Sequence, residues 1–213
     1  MQLDNLFDPT SALIVVGGTA LATVLRCGFH DTRAAVSALL RLTSGRFQPE
    51  HARAELAVQI QEIRQDGVLR SQPHHFGDAE LDDATDALIG TRSLAGVEAA
   101  HHAHKQHRAE QNAAALHVFS QAADMSPVLG LAGTLISLSQ LPTATGAGGS
   151  FTGAISMAVL TTLYGLVLGN LVLAPVGRMV ERRAAQEERD RQGVLDWLRG
   201  QVAEVLPRGA TCP

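Results

Sequence analysis

From Met125 to Gly177 the chain carries no Asp, Glu, Lys, Arg or His, and this apolar run is interrupted only near its middle. The interruption, Pro142-Thr-Ala-Thr-Gly-Ala-Gly-Gly-Ser150, leaves an apolar segment on either side. A helix needs ~20 predominantly apolar residues to cross a bilayer, so the two segments predict a transmembrane hairpin. Its spans are 125–142 and 151–175, joined by a loop at 143–150. A shorter apolar segment lies between Asp8 and Arg26 and predicts a further span over 9–27, at the lower end of the spanning range.

Residues 28–124 are polar by contrast, but their apolar positions recur at helical spacing. Ala, Val and Leu predict a helix over Asp31–Leu42, and Leu56, Ile60 and Ile63 share one face of a second over Glu50–Arg64. Gly67 and the Ser71-Gln-Pro-His-His75 stretch predict a break. A third helical stretch, Asp78–Leu94, leads into an Ala-rich run from Gly96 to Ala123 that no proline interrupts. One continuous helix is therefore expected to run from the polar block into the membrane near Met125, with Pro127 close to the water–lipid boundary. The charged tail from Val176 to Leu206 predicts another helix, and strand-like alternation is missing throughout. The expected fold is an all-α membrane protein with three transmembrane helices and long cytoplasmic helical extensions.

Charge sets the expected orientation. Asp4 and Asp8 precede the first span without any Lys or Arg, whereas Arg26, Arg33, Arg41 and Arg46 follow it, and Arg178, Arg182 and Arg183 follow the last. Positive residues stay on the cytoplasmic side. The N-terminus, with a periplasmic tail over 1–8, is thus expected outside, and so is the 143–150 loop. The 28–124 block and the 176–213 tail are expected inside. The first residues lack the positive n-region of a cleaved signal peptide, so insertion falls to the mature helices. A net charge of -4 argues against nucleic acid as a partner. Cys27 and Cys212 have no metal-ligand spacing.

The chemistry available inside the spans is that of small and hydroxylated residues. Gly130, Gly133, Thr134 and Ser137 lie in one hairpin helix; Ser156, Thr161, Thr162, Gly165, Gly169 and Asn170 lie in the other. Thr161, Gly165 and Gly169 recur every four residues, a small-xxx-small pattern that lets helices approach closely in lipid. Thr134 and Thr162 either bond back to their own helices or line a polar path. An intramembrane carboxylate, the usual proton carrier, is absent from all three spans. If the chain moves ions, that group must come from another polypeptide. In the polar block, His101, His104 and His107 stack on one side of a helix and could sense pH or bind a metal. Their spacing is not the i, i+4 pair and no Cys lies near, so a solvated helical face is expected, with no metal site and no cofactor. A nucleophile elbow, a P-loop and paired carboxylates are all missing, which argues against an enzyme.

Three stretches resemble the MotA/TolQ/ExbB family of bacterial inner-membrane channel subunits, most of all its flagellar stator branch of the MotA and PomA type. They are Asp8-Pro-Thr-Ser-Ala-Leu-Ile-Val-Val-Gly-Gly-Thr19, Met125-Ser-Pro-Val-Leu-Gly-Leu-Ala-Gly-Thr134, and Met157-Ala-Val-Leu-Thr-Thr-Leu-Tyr-Gly165 followed by Asn170 and Pro175. Weaker similarity, such as Ile63-Arg-Gln-Asp-Gly-Val-Leu69, extends across the polar block. The resemblance implies pore-facing hydroxyls at Thr134 and Thr162, with Thr161 adjacent, and conformational roles for Pro127 and Pro175. It implies a homopentamer in the inner membrane around two copies of a single-span partner of MotB, TolR or ExbD type. That partner supplies the ion-carrying Asp, and the ion is H+ or Na+. Two departures stand out: stators of this branch have four spans against three here, as in TolQ and ExbB, and their rotor-facing charges are only half kept. The positive one falls on Arg64, a possible cytoplasmic interaction residue, while the acidic one falls near Gln72 or Pro73 and is lost. A second expectation, from a different class, is a non-conducting oligomeric scaffold that uses the same helices only for assembly. A small-solute transporter is disfavoured by the lack of any charged or discontinuous-helix site.

Overall fold

In the computed structural model, Asp8 starts the first helix by capping it. Its carboxylate accepts hydrogen bonds from the Thr10 and Ser11 amides at 3.2 and 3.1 Å and from the Ser11 hydroxyl at 2.5 Å. Those donors, the Ser11 hydroxyl first, outweigh the opposing effect of burial and hold the Asp8 carboxyl below the usual range. Pro9 follows at the first helical position, where a missing N–H costs nothing. The structure describes residues 8–66, 77–91, 93–139 and 148–203, with the side chains of 62–66, 148–151 and 203 excepted. The predicted break at Gly67–His75 and most of the predicted 143–150 loop lie outside the described residues.

Among the described residues six helices follow one another: α1 (Pro9–Thr43), α2 (Pro49–Asp66), α3 (Ala79–Thr91), α4 (Leu94–Ser139), α5 (Gly148–Val167) and α6 (Ala174–Ala203), with a π-helical turn over Leu168–Leu173 between the last two. The described residues hold no strand. The fold is all-helical, and its helices over Pro9–Thr43, Leu94–Ser139 and Thr152–Val202 are long and apolar enough to cross a membrane. The helix expected over Asp31–Leu42 is the second half of α1, set off from the apolar half by Gly28, whose φ of 80° and ψ of 166° are not helical. Only glycine takes that conformation without strain. The stretch expected over Asp78–Leu94 ends at Thr91, and α4 then runs unbroken past Pro127 for 46 residues.

The chain divides into two units. The first comprises the described parts of Met1–Thr43 and Gln111–Arg182. In it Ser11, Val15, Thr19 and Thr23, spaced four apart along α1, are buried, and the Thr19 and Thr23 hydroxyls donate to the carbonyls of Val15 and Thr19 at 2.6 and 2.7 Å. That back-bonding lets hydroxylated residues occupy an apolar contact. Ala35, Ala38, Ala115, Val118, Phe119 and Val180 form the unit's hydrophobic cluster. Elsewhere it shows large apolar side chains outward, Leu13 at 72% and Leu135 at 69% exposure among them. Water would penalise such a surface, whereas lipid or neighbouring helices would not.

The second unit comprises the described parts of Ser44–Glu110 and Arg183–Pro213. Two clusters build it, Ile60, Ala84, Leu88, Val97, Leu195, Leu198 and Val202 in one and Ala52, Leu56, Leu81 and Val194 in the other, and Trp197 packs against both. Leu56 and Ile60 are buried as their spacing predicts.

Candidate functional site

The apolar parts of α4 and α5 meet along a seam of glycines. A methyl group on Gly130 would fall 2.9 Å from the Thr161 carbonyl oxygen, and one on Gly165 would fall 2.7 Å from that of Ser126 and 2.9 Å from Gly130 Cα. On Gly133 it would meet the Thr161 side chain at 2.9 Å, and on Gly169 the Ala123 carbonyl oxygen at 2.7 Å. Backbone therefore lies directly against backbone, which only glycine permits. The buried Ser126 hydroxyl donates across the seam to the Gly165 carbonyl at 2.9 Å. Thr161 belongs to this seam and not to the open surface; it is 0% exposed, with its hydroxyl donating to the Ala158 carbonyl at 2.9 Å.

Beside the seam runs an open groove of about 460 Å³, lined by Thr134, Leu138, Ile155, Ala158, Val159, Thr162, Leu163 and Leu166. Among the described residues Thr134 and Thr162 are its only hydroxylated lining residues, one from each helix. Their protons are committed, Thr134 donating to the Leu131 carbonyl at 2.6 Å and Thr162 to the Ala158 carbonyl at 3.3 Å. A hydroxyl has one proton and two lone pairs, so a back-bonded threonine still offers its oxygen as an acceptor. Back-bonding and lining a groove are thus compatible here. The groove holds no charged side chain, so it can solvate a cation or accept from a donor but cannot itself carry a proton.

Two prolines shape the helices around the seam. Pro127 has no N–H for the Ala123 carbonyl, and that oxygen faces the space above Gly169. Pro175 stands in the first turn of α6, directly after the π-helical turn, and has no N–H for the Leu171 carbonyl. The widened turn brings the Ala174 amide to the Gly169 carbonyl and carries the helix onward past the proline ring. Asn170 lies within this turn, exposed, its amide nitrogen donating to the Leu166 carbonyl at 3.2 Å. The sequence gives no sign of the π turn, since it arises where a proline meets a close interhelical contact.

Arg64 belongs to α2, but its side chain, like Gln72 and Pro73, lies outside the described residues. The solvated histidine face expected at His101, His104 and His107 is kept at His107, which is exposed, and needs correction at His101. His101 is only 6% exposed, because α3 and α6 cover that side of α4 and supply partners. Its Nδ1 faces Glu80 Oε1 at 2.5 Å, and His104 Nε2 faces Asp83 Oδ2 at 2.7 Å. Among the described residues no group of three or more His, Cys, Asp or Glu is placed to hold a metal.

A family model for the MotA/TolQ/ExbB proton channel family matches residues 73–193, more than half of the chain. The chain belongs to this proton channel family. The family is one of multi-pass membrane channels and not of enzymes. Among its curated members, the chemotaxis protein PomA of Vibrio alginolyticus is 26% identical over 193 residues, covering 89% of this chain and 75% of its own. Motility protein A of Cereibacter sphaeroides is 27% identical over 199 residues, covering 91% and 77%. The fold is shared with solved stators. The flagellar MotAB stator complex from Bacillus subtilis matches with a TM-score of 0.78 at 22% identity, over 99% of this chain and 86% of that one. C. jejuni MotAB matches with a TM-score of 0.77 at 18% identity, over 95% and 80%.

Proposed function

We propose that this chain is the channel subunit of an ion-driven motor of the flagellar stator type, and that its Thr134–Thr162 groove forms one wall of the ion path. The observation that carries this is the charge-free groove itself, with one threonine oxygen from each of its two helices. Such a wall needs a titratable group from outside, and a single apolar helix bearing an Asp, of MotB, TolR or ExbD type, is the simplest source. The likeness to the MotAB folds supports such a partner, and the resemblance to the family implies two copies of it within a pentamer of this chain. Protons, or sodium ions, pass between the partner's Asp and the threonine oxygens. Each charge that crosses makes about 2.3 kcal/mol available per 100 mV, which drives rotation or rocking of the ring. The N-terminus lies outside, the C-terminus and polar unit lie in the cytoplasm, and the membrane is the bacterial inner membrane. Pro127 and Pro175 act as the flexing points, the four glycines and Thr161 as the packing seam, and Arg64 as a contact toward the driven structure.

The test is the double substitution Thr134→Val with Thr162→Val. Val keeps the shape and removes both oxygens. Ion flux and motor work measured with the co-expressed partner should fall to background, while the oligomer purifies unchanged. Wild-type flux in that variant would overturn the assignment.

A further inference from the structure

We propose that His101 and the carboxylates around it form a proton-operated clasp that fastens α3 to α4 and α6 in the polar unit. The core of the clasp is Glu80 at the start of α3, which is only 3% exposed and yet holds three charged partners. His101 Nδ1 of α4 lies 2.5 Å from its Oε1, Arg108 Nη1 of α4 lies 2.6 Å from its Oε2, and Arg191 Nη1 of α6 lies 2.8 Å from the same oxygen.

The hydrogen-bond geometry gives each ring nitrogen of the histidine an oxygen neighbour. Its second nitrogen, Nε2, faces Gln192 Oε1 at 3.0 Å. The orientation of that amide is set from the other end, because Gln192 Nε2 donates to Asp196 Oδ1 at 3.1 Å. Both ring nitrogens therefore face oxygen acceptors, and only the imidazolium has a proton for each. Glu188 Oε1 lies 3.9 Å from the same Nε2, buried and without a hydrogen bond among the described residues. It adds negative potential at the point where the second proton sits.

Charge counting agrees. Four carboxylates meet here: Glu80, Asp78 paired with Arg191 at 2.8 Å, Glu188 paired with Arg108 at 2.9 Å, and Glu187 at 3.2 Å from Arg191 Nε. Arg108, Arg191 and Lys105, whose Nζ is 3.6 Å from Glu188, supply three permanent positive charges. A protonated His101 is the fourth. Loss of that proton leaves these four carboxylates with one positive partner fewer and sets the Nε2 lone pair against an amide oxygen, unless Gln192 turns and gives up Asp196. Either outcome loosens the hold of α4 on Glu80, and with it the N-terminal turn of α3. Two other histidines stand nearby. His102 is exposed, with its ring 6.2 Å from that of His101, and His104 pairs with Asp83 at 2.7 Å on the exposed rim.

Hydrogen exchange of α3 in the full-length chain, held in lipid nanodiscs without an ion gradient, tests the clasp independently of conduction. Protection of the α3 amides, corrected for the intrinsic pH dependence of exchange, should drop on the order of ten-fold as pH rises from about 5 to about 9, a span that brackets imidazole titration. His101→Gln should show the low protection at every pH, and Asp83→Asn should keep the pH step. On protein labelled with ¹⁵N-histidine, both His101 ring nitrogens should give protonated shifts at the acid end and one should lose its proton at the alkaline end. An unprotonated Nε2 at the acid end, a flat exchange profile in the wild type, or loss of the step in Asp83→Asn would each overturn the proposal.

Discussion

Gly165 and Gly153 lie twelve residues apart on one helix and answer opposite questions about a methyl group. At Gly165 a Cβ would stand 2.7 Å from the Ser126 carbonyl oxygen and 2.9 Å from Gly130 Cα, both backbone atoms that cannot swing aside. At Gly153 nothing among the described residues lies within 4 Å. Gly165→Ala therefore forces α4 and α5 apart, stretches the Ser126–Gly165 hydrogen bond, and should destabilise the subunit by ~1–3 kcal/mol. Gly153→Ala should instead be neutral or stabilising by up to ~1 kcal/mol, through helix propensity alone. Thermal unfolding of both variants in one detergent checks the contrast, and equal melting temperatures would remove the seam as a determinant of stability. The same scale separates the three threonines: Thr161 is locked beneath Gly133, whereas Thr134 and Thr162 keep their oxygens toward open space.

At the scale of elements, α3 is a 13-residue helix whose attachment is electrostatic as well as apolar. Burial alone would raise the carboxyls of Glu80 and Asp78. Hydrogen bonds from His101 and Arg108 to Glu80, and from Arg191 to Asp78, together with the guanidinium charges, outweigh it and hold both below their ordinary values of 4.5 and 3.8. Desolvation of Arg191 works the other way, but its bonds to Asp78 and the charges of Glu80 and Glu187 prevail and leave the guanidinium protonated throughout. Arg191 also lies over the Phe47 ring, 4.4 Å from its centroid. Because the two carboxyls are more acidic folded than unfolded, the unfolded chain takes up their protons first as pH falls. Their contribution is complete above the unfolded value and is lost as pH falls through the folded one. Melting temperature should thus decline on acidification below about pH 4.5, and less steeply in Asp78→Asn. Glu80→Gln leaves the half-buried Arg108 and Arg191 one counter-charge short and should cost ~1–3 kcal/mol at neutral pH.

Helix order was legible in the sequence because apolar runs and an uninterrupted Ala-rich stretch are local patterns. The attachment of α3 was not, since Glu80 meets His101 and Arg191 across 21 and 111 residues of chain. His101 accordingly read as one of three solvated histidines, although the packing of α3 and α6 over it decides its state. The groove was half legible: the residue types at Thr134 and Thr162 were visible, but their shared wall, and the retreat of Thr161 into the seam, required the pairing of α4 with α5.

For the whole molecule, the apolar helices combine a groove bearing two threonine hydroxyls with the absence of any charged residue between Met125 and Gly177. No Asp, Glu, Lys, Arg or His occurs between Met125 and Gly177, and the groove offers a migrating ion nothing stronger than two hydroxyl oxygens. A bare charge at such a site meets a steep desolvation penalty that two neutral acceptors offset only in part. The subunit reconstituted alone should therefore leave a liposome as tight to protons and sodium ions as an empty one. Adding a single-span partner with an intramembrane Asp should open a flux that depends on both chains. Replacing that Asp by Asn, or Thr134 and Thr162 by Val, should return the flux to the background of empty vesicles. The Gly153→Ala variant, remote from the seam, should conduct like the wild type. Flux from the lone subunit that survives the paired valine change would show that the ion travels elsewhere, because neither the groove nor a borrowed carboxylate would then be needed.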